Sequence, residues 1–250
     1  MCIYAFMQSH LGYIPVATGP LAKECRILTV DNRGHGDSDK PDDVNAYNNG
    51  DLLADDVAGA VSLTNGKPPV LVGWSIGGVI VGDYLAKYGD GAIAGLVYLG
   101  AGFVLGEGMH RFLHEDFARV VGDASSPHLP TSISGAVAVD RYCTYAPLTP
   151  EDFTVMVAAS MAVPVEARIG LLAREYVDHI LNTHPSVSVP ARFLHGLEEQ
   201  VVLPVSGEEG AAAMPNSKYV PLEKIGHSPS LECPDEVALA IREVMAESQS

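Results

Sequence analysis

The sequence predicts an α/β protein: a mostly parallel sheet with helices on both faces and one helical insertion. Three observations carry this expectation. Short apolar runs, β-branched or leucine-rich, alternate with helical patterns along the chain. The runs are bounded by Gly, Pro or Asp, as buried strands are. One long stretch, residues 103–188, breaks the alternation and reads as mostly helical.

The elements follow in order. Residues 26–31 (RILTVD), Val70–Trp74 (VLVGW), 94–100 (AGLVYLG), 190–195 (PARFLH) and 219–222 read as strands. Residues 51–63 place Leu53, Val57 and Val61 on one helical stripe, and Gly77–Tyr88 reads as the helix after the second strand. Pro234 stands where a first helical residue belongs, and Val237, Ile241, Val244 and Met245 recur behind it at helical spacing. No strand is expected between 103 and Pro190. The predicted organisation is therefore a core of 1–102 and 189–250 with a helical lid or cap of 103–188. Such a cap would cover the sheet's carboxyl edge, where open α/β sheets bind ligands. No repeat, low-complexity tract or linker interrupts the chain.

Composition narrows the function. The chain has 250 residues, enough for one sizeable core, and 31 acids against 15 bases give a formal charge of −16. That field repels phosphate backbones and anionic headgroups, so neither nucleic acid nor a membrane surface is an expected partner. Cys2, Cys25, Cys143 and Cys233 show no paired-ligand spacing and are too sparse for a secreted disulfide framework. The first basic residue is Lys23, so the positive start of a signal peptide is missing, and no apolar run reaches the ~20 residues of a bilayer span. A cytoplasmic protein is the expectation.

Gly73-Trp74-Ser75-Ile76-Gly77 fits Gly-x-Ser-x-Gly, a pattern that chance supplies roughly 0.17 times in a chain of this composition. Context sharpens it, because the motif ends an apolar strand and opens a helix. There the glycines permit a tight strand-to-helix turn that lifts the serine hydroxyl above the sheet edge, at a helix N-terminus that favours negative charge. A serine hydroxyl needs a base held by a carboxylate. His227 lies in Gly226-His227-Ser228-Pro229, after the last predicted strand and before Glu232-Cys233-Pro234. The acid is expected on the loop after the preceding strand, which reads His195-Gly196-Leu197-Glu198-Glu199. Nucleophile, acid and histidine then occur in the order Ser75, Glu199, His227.

These residues resemble the α/β-hydrolase superfamily from about Leu21 to the C-terminus. Asp31-Asn32-Arg33-Gly34-His35-Gly36-Asp37-Ser38, followed by Lys40-Pro41, is similar to the family's strand-ending turn, and the elbow and the Gly-His-Ser-Pro…Glu-x-Pro ending match as well. The resemblance implies the α/β-hydrolase fold, a structural role for Asp31, Arg33 and His35, and Glu199 in a position usually held by Asp. It also implies backbone N–H donors to an oxyanion from Ile76 and from the loop near Phe6. Family members usually begin with two antiparallel strands and a strand ending in His-Gly. Here only residues 2–7 (CIYAFM) precede the first loop, so those antiparallel strands are missing from the sequence and the second donor is weakened. Low esterase activity and a tendency to form homo-oligomers follow as expectations.

The implied activity is hydrolysis of a small carboxylic ester or lactone through an acyl-enzyme, with no metal or organic cofactor. Trp74, Tyr142, Met156 and Met161 are candidate substrate contacts, although the methionines read first as cap core. His110 and His114, with Glu115 beside them, lack a third ligand and read as a solvated cap helix. Cofactor-free perhydrolase or haloperoxidase chemistry, carbon–carbon hydrolysis and acyl transfer would use the same residues. A ligand receptor with vestigial catalysis would use the same fold.

Overall fold

The structure is a computed structural model that describes residues 1–249. Six strands form the main sheet: β1 (Cys2–Ile3), β2 (Thr29–Val30), β3 (Val70–Trp74), β4 (Gly95–Leu99), β7 (Ala191–Gly196) and β8 (Ser217–Leu222). Their order is β2-β1-β3-β4-β7-β8 and every pairing is parallel, with Cys2 opposite both Thr29 and Val72. Among the described residues no antiparallel strand joins this sheet.

Helices cover both faces, and the period-2 alternation of the strands decides which side chain meets which. Leu71 of β3 and Leu96 and Tyr98 of β4 face one core, shared with Leu53 and Val57 of α2 (Gly50–Ser62) and Val79 and Ile80 of α3 (Gly77–Tyr88). Val70, Val72 and Trp74, with Val97 and Leu99, face the other core. That core holds Val16 of α1 (Ile14–Thr18) and Val237, Ile241 and Val244 of α11 (Pro234–Glu247). Helix α9 (Val205–Ala213) joins β7 to β8, and the short α10 (Pro229–Glu232) precedes α11.

Between β4 and β7 the chain runs through α4 (Glu115–Ala124), α5 (Leu129–Tyr142), α6 (Pro150–Ala162), α7 (Val165–Leu172) and α8 (His179–Asn182). This segment has its own apolar core, including Phe117, Val120, Val139 and Met156. The expectation of no strand here is corrected: β5 (Val104–Leu105) and β6 (Val177–Asp178) pair antiparallel at its base. Two-residue strands are too short to carry periodicity, and tertiary contact alone creates them. The segment's exit is tied to α3 by a buried ion network. Arg174 donates to both oxygens of Asp83 at 2.7 and 2.8 Å, and His179 Nε2 lies 3.1 Å from Asp83 Oδ1.

The chain goes from β1 to β2 on one side and then returns to place β3 on the other. The strand order thus reverses between β1 and β3, and the loops leaving these strands part there, at the usual ligand position of an open α/β sheet.

Candidate active site

Ser75 stands at that reversal. It follows the last residue of β3 and takes φ +56, a left-handed conformation rare for a residue with a side chain. Both backbone groups of Ser75 are pinned. Ser75 N–H donates to Leu99 O at 3.1 Å, and Ser75 O accepts from Gly78 N–H at 2.9 Å and Gly102 N–H at 3.1 Å. A side chain at Gly77 would stand 2.7 Å from Ile3 O, so only glycine lets the elbow press against the end of β1.

The loop between β8 and α10 carries His227, and the loop after β7 carries Glu199. Glu199 Oε2 accepts from His227 Nδ1 at 2.7 Å, while its Oε1 accepts from Val201 N–H at 2.7 Å. Both side chains are buried. An acceptor oxygen at that distance favours the tautomer with its proton on Nδ1, which leaves Nε2 as the acceptor nitrogen of His227. His195 Nε2 lies 3.8 Å from the same carboxylate oxygen but donates to Val202 O at 2.7 Å, and burial holds its pKa below the ordinary histidine value. Glu199 therefore serves one imidazole.

Gly100 makes room for this pair. It adopts φ +48, and a side chain there would lie 3.0 Å from Glu199 Oε2 and 3.1 Å from His227 Nδ1. Glu198 points elsewhere, accepting from Ile225 N–H at 3.2 Å. Trp74 is fully buried, edge-on to Tyr13, and its Nε1 donates to His227 O at 2.6 Å, so it supports the histidine loop from beneath rather than facing solvent.

Among the described residues, Ser75 Oγ makes no hydrogen bond to His227. Ser75 N–H is bonded to Leu99 O, and a side chain at the next residue, Gly100, would lie 3.1 Å from His227 Nδ1.

The amide inventory around Ser75 is short. Among the described residues, Ile76 N–H at the start of α3 has no protein acceptor. In the loop after β1, Met7 N–H donates to His35 Nε2 at 3.3 Å and Gln8 N–H to Ala5 O at 3.2 Å. Among the described residues, Phe6 N–H and Ser9 N–H have no protein acceptor either. Phe6 is the nearer to the elbow, two residues beyond Tyr4, whose carbonyl would lie 3.3 Å from a side chain at Gly77.

His35 explains part of this. Its Nδ1 lies 3.0 Å from Arg33 O, and burial pushes its pKa down to about 4, so it stays neutral and offers Nε2 as an acceptor to Met7. Asp31 is occupied within the same turn, accepting from His10 N–H, His10 Nδ1 and Asp37 N–H at 2.8, 3.0 and 3.0 Å. His10, Asp31 and Asp37 offer ligand atoms within 4.8 Å of one another, but these hydrogen bonds already account for the carboxylate of Asp31.

The remaining predicted positions fall elsewhere. Met156 is buried in the core of the helical segment and Met161 packs against it. Tyr142 lines a shallow recess of about 330 Å³ with His114, Asp116, Arg141 and Gln200. His110 and His114 do not share a helix: the first lies in a short 3-10 turn and the second caps α4. A larger groove, about 1000 Å³, runs beneath the amino ends of the strands past Met1, Leu28, Val70 and Pro190, on the side away from Ser75.

Sequence reasoning missed Glu232, Gln8, Asp140 and Ser160. Glu232 accepts from Gly226 N–H at 3.0 Å and Ser228 N–H at 3.3 Å, on either side of His227, and from Tyr145 N–H of the helical segment at 2.7 Å. Its place in the Glu-x-Pro ending was the one available signal.

A serine on a strained strand-to-helix turn, with a histidine and a carboxylate delivered by the last two strands, defines a class of α/β proteins. Residues 5–240 match the Alpha/beta hydrolase family, and the chain belongs to it. An esterase from Rhodococcus sp. ECU1013 is similar over 98% of this chain and 89% of its own, at 27% identity and a TM-score of 0.90. A candidate aryl esterase from Burkholderia cenocepacia is similar over 99% of this chain and 89% of its own, at 25% identity and a TM-score of 0.88. The enol-lactonase from Burkholderia xenovorans LB400 shares the fold at 19% identity and a TM-score of 0.77, over 98% of this chain and 90% of its own. Family and esterase neighbours together support a hydrolase. Among the described residues no single helix is long and apolar enough to cross a membrane.

Proposed function

We propose that the chain hydrolyses small carboxylic esters or lactones with Ser75 as nucleophile, His227 as general base and Glu199 as the acid that holds it. The observation that carries this reading is the 2.7 Å contact between Glu199 Oε2 and His227 Nδ1, set beside a serine held at φ +56. With its Nδ1–H given to Glu199, His227 can take the Ser75 proton on Nε2 as Oγ attacks the carbonyl carbon. It returns that proton to the leaving alkoxide, and water then repeats the sequence on the acyl-enzyme. The carbonyl oxygen becomes an oxyanion. Ile76 N–H and Phe6 N–H, which no protein acceptor occupies, are the donors assigned to it.

The esterase neighbours favour an ester substrate. Free cysteines at all four positions suit a reducing cytoplasm. A receptor with vestigial catalysis would have no need of a buried carboxylate aligned on the histidine.

The test is turnover of short-chain p-nitrophenyl esters by the purified protein and by Ser75→Ala. Loss of ~10³-fold or more with an unchanged melting temperature is expected. Equal turnover by the folded variant would overturn the assignment.

A further inference from the structure

The loop after β1 is clamped by the helical segment rather than by the sheet that precedes it. Met7 takes φ +62, a conformation that persists in a residue with a long side chain only where its surroundings over-determine it. Its side chain is fully buried in the apolar core of the helical segment, with Phe117 and Val120 of α4, Val139 of α5 and Met156 of α6. The next residue, Gln8, is fixed by a buried triangle. Its Nε2 donates to Asp140 Oδ1 of α5 at 2.9 Å and to Ser160 Oγ of α6 at 3.1 Å, and Ser160 Oγ donates to Asp140 Oδ1 at 3.0 Å. All three side chains are at most 2% exposed.

We propose that Gln8, Asp140 and Ser160 are positioning residues for the oxyanion site, through which the helical segment holds the loop at Met7 in its left-handed turn and so aims the Phe6 N–H. This rests on the Ser75 reading above. Released from the triangle, Met7 would relax to negative φ, which turns the Phe6–Met7 peptide unit and the backbone of Phe6 with it, so that the Phe6 N–H would lose its aim. The chemistry of the triangle agrees. Asp140 Oδ2 is buried without a partner, and burial, only partly offset by the bonds from Ser160 and Gln8, pushes the carboxyl pKa up to about 7. Such a poorly solvated acid is retained in an apolar helix pair for what its other oxygen holds.

A misaimed oxyanion donor weakens the transition state and leaves ground-state binding alone. The experiment compares Gln8→Met, which keeps the length and loses the donors, with Asp140→Leu, and with Asp140→Asn, which keeps an Oδ1 acceptor. Each is assayed for kcat and KM on p-nitrophenyl acetate and for inhibition by phenylboronic acid, whose adduct with a serine is tetrahedral and anionic. Gln8→Met and Asp140→Leu are expected to lower kcat and boronate affinity by about tenfold or more, with KM within about twofold, and Asp140→Asn to retain both. Wild-type kcat and boronate affinity in folded Gln8→Met, with only a lower melting temperature, would overturn the proposal and leave the triangle as packing. If Asp140→Leu does not fold, Gln8→Met and Ser160→Ala decide. Ser75→Ala separates the two levels of failure. Turnover that survives Ser75→Ala removes the active-site reading itself, whereas Ser75-dependent turnover indifferent to Gln8→Met removes only the clamp.

Discussion

The two loops that leave β3 and β1 hold residues at positive φ, Ser75 in one and Met7 in the other, and they reach that strain by different routes. The elbow after β3 is set locally. Its glycines allow close approach to the end of β1, and its backbone bonds run to the adjacent turn and to the neighbouring loop after β4. The loop after β1 has no such motif. Its bonds run to side chains 132 and 152 residues away, in α5 and α6, and to His35 in the turn after β2. A strained functional turn can thus be encoded by a run of small residues or by distant polar partners, and only the first is legible as a motif.

On the locally encoded side, the largest expected effect is at Glu199. Glu199→Gln should reduce turnover by ~10³–10⁴-fold, because a carboxamide no longer fixes the imidazole proton on Nδ1, with little change in melting temperature. Steady-state kinetics on one activated ester reads this directly. A loss below about tenfold would show that another group orients His227.

Gly100→Ala sharpens the same side. A side chain at φ +48 costs ~1–2 kcal/mol in backbone strain, and here it would also push between Glu199 and His227. Thermal denaturation should register the strain and kcat should fall with it. An unperturbed kcat would mean the carboxylate–imidazole pair tolerates displacement.

On the distantly encoded side, Asp140 gives a pH signature. Its folded pKa of about 7 lies above the unfolded carboxylate value near 3.8, so the native state holds the proton more tightly. The stability it contributes is fully present below that unfolded value and is lost as pH rises through 7. The magnitude is bounded by ~4 kcal/mol, at 1.36 kcal/mol per pH unit. Asp140→Asn does not titrate. The difference in denaturation free energy between wild type and this variant should therefore shift against the wild type from pH 4 to pH 8. A difference that stays constant would show that Asp140 is ionised throughout.

The smallest effect is expected at Glu198. Glu198→Gln should change kcat/KM by no more than about twofold, because this side chain caps Ile225 N–H and faces away from His227. A large loss there would move the acid role by one residue.

What the sequence revealed follows this division. β3 and α3 lie where the apolar run and the glycine-bounded helix pattern put them, since both are buried and locally consistent. The predicted strand at 26–31 shrinks to Thr29–Val30, because an edge strand with one neighbour pairs only where β1 reaches it. The Glu199 position followed from counting along one loop. Gln8, Asp140 and Ser160 gave no sign, since a polar residue in an apolar helix looks the same whether it meets solvent or a partner 132 residues away. Glu232 was visible as part of a motif, but its backbone partners were not.

The central question is whether Ser75 is an activated nucleophile. Treatment of the folded protein with a fluorophosphonate, followed by peptide mass spectrometry, tests it most directly. One stoichiometric adduct on Ser75, lost in His227→Ala, is expected. No adduct, or an adduct on another residue that survives Ser75→Ala, would contradict it.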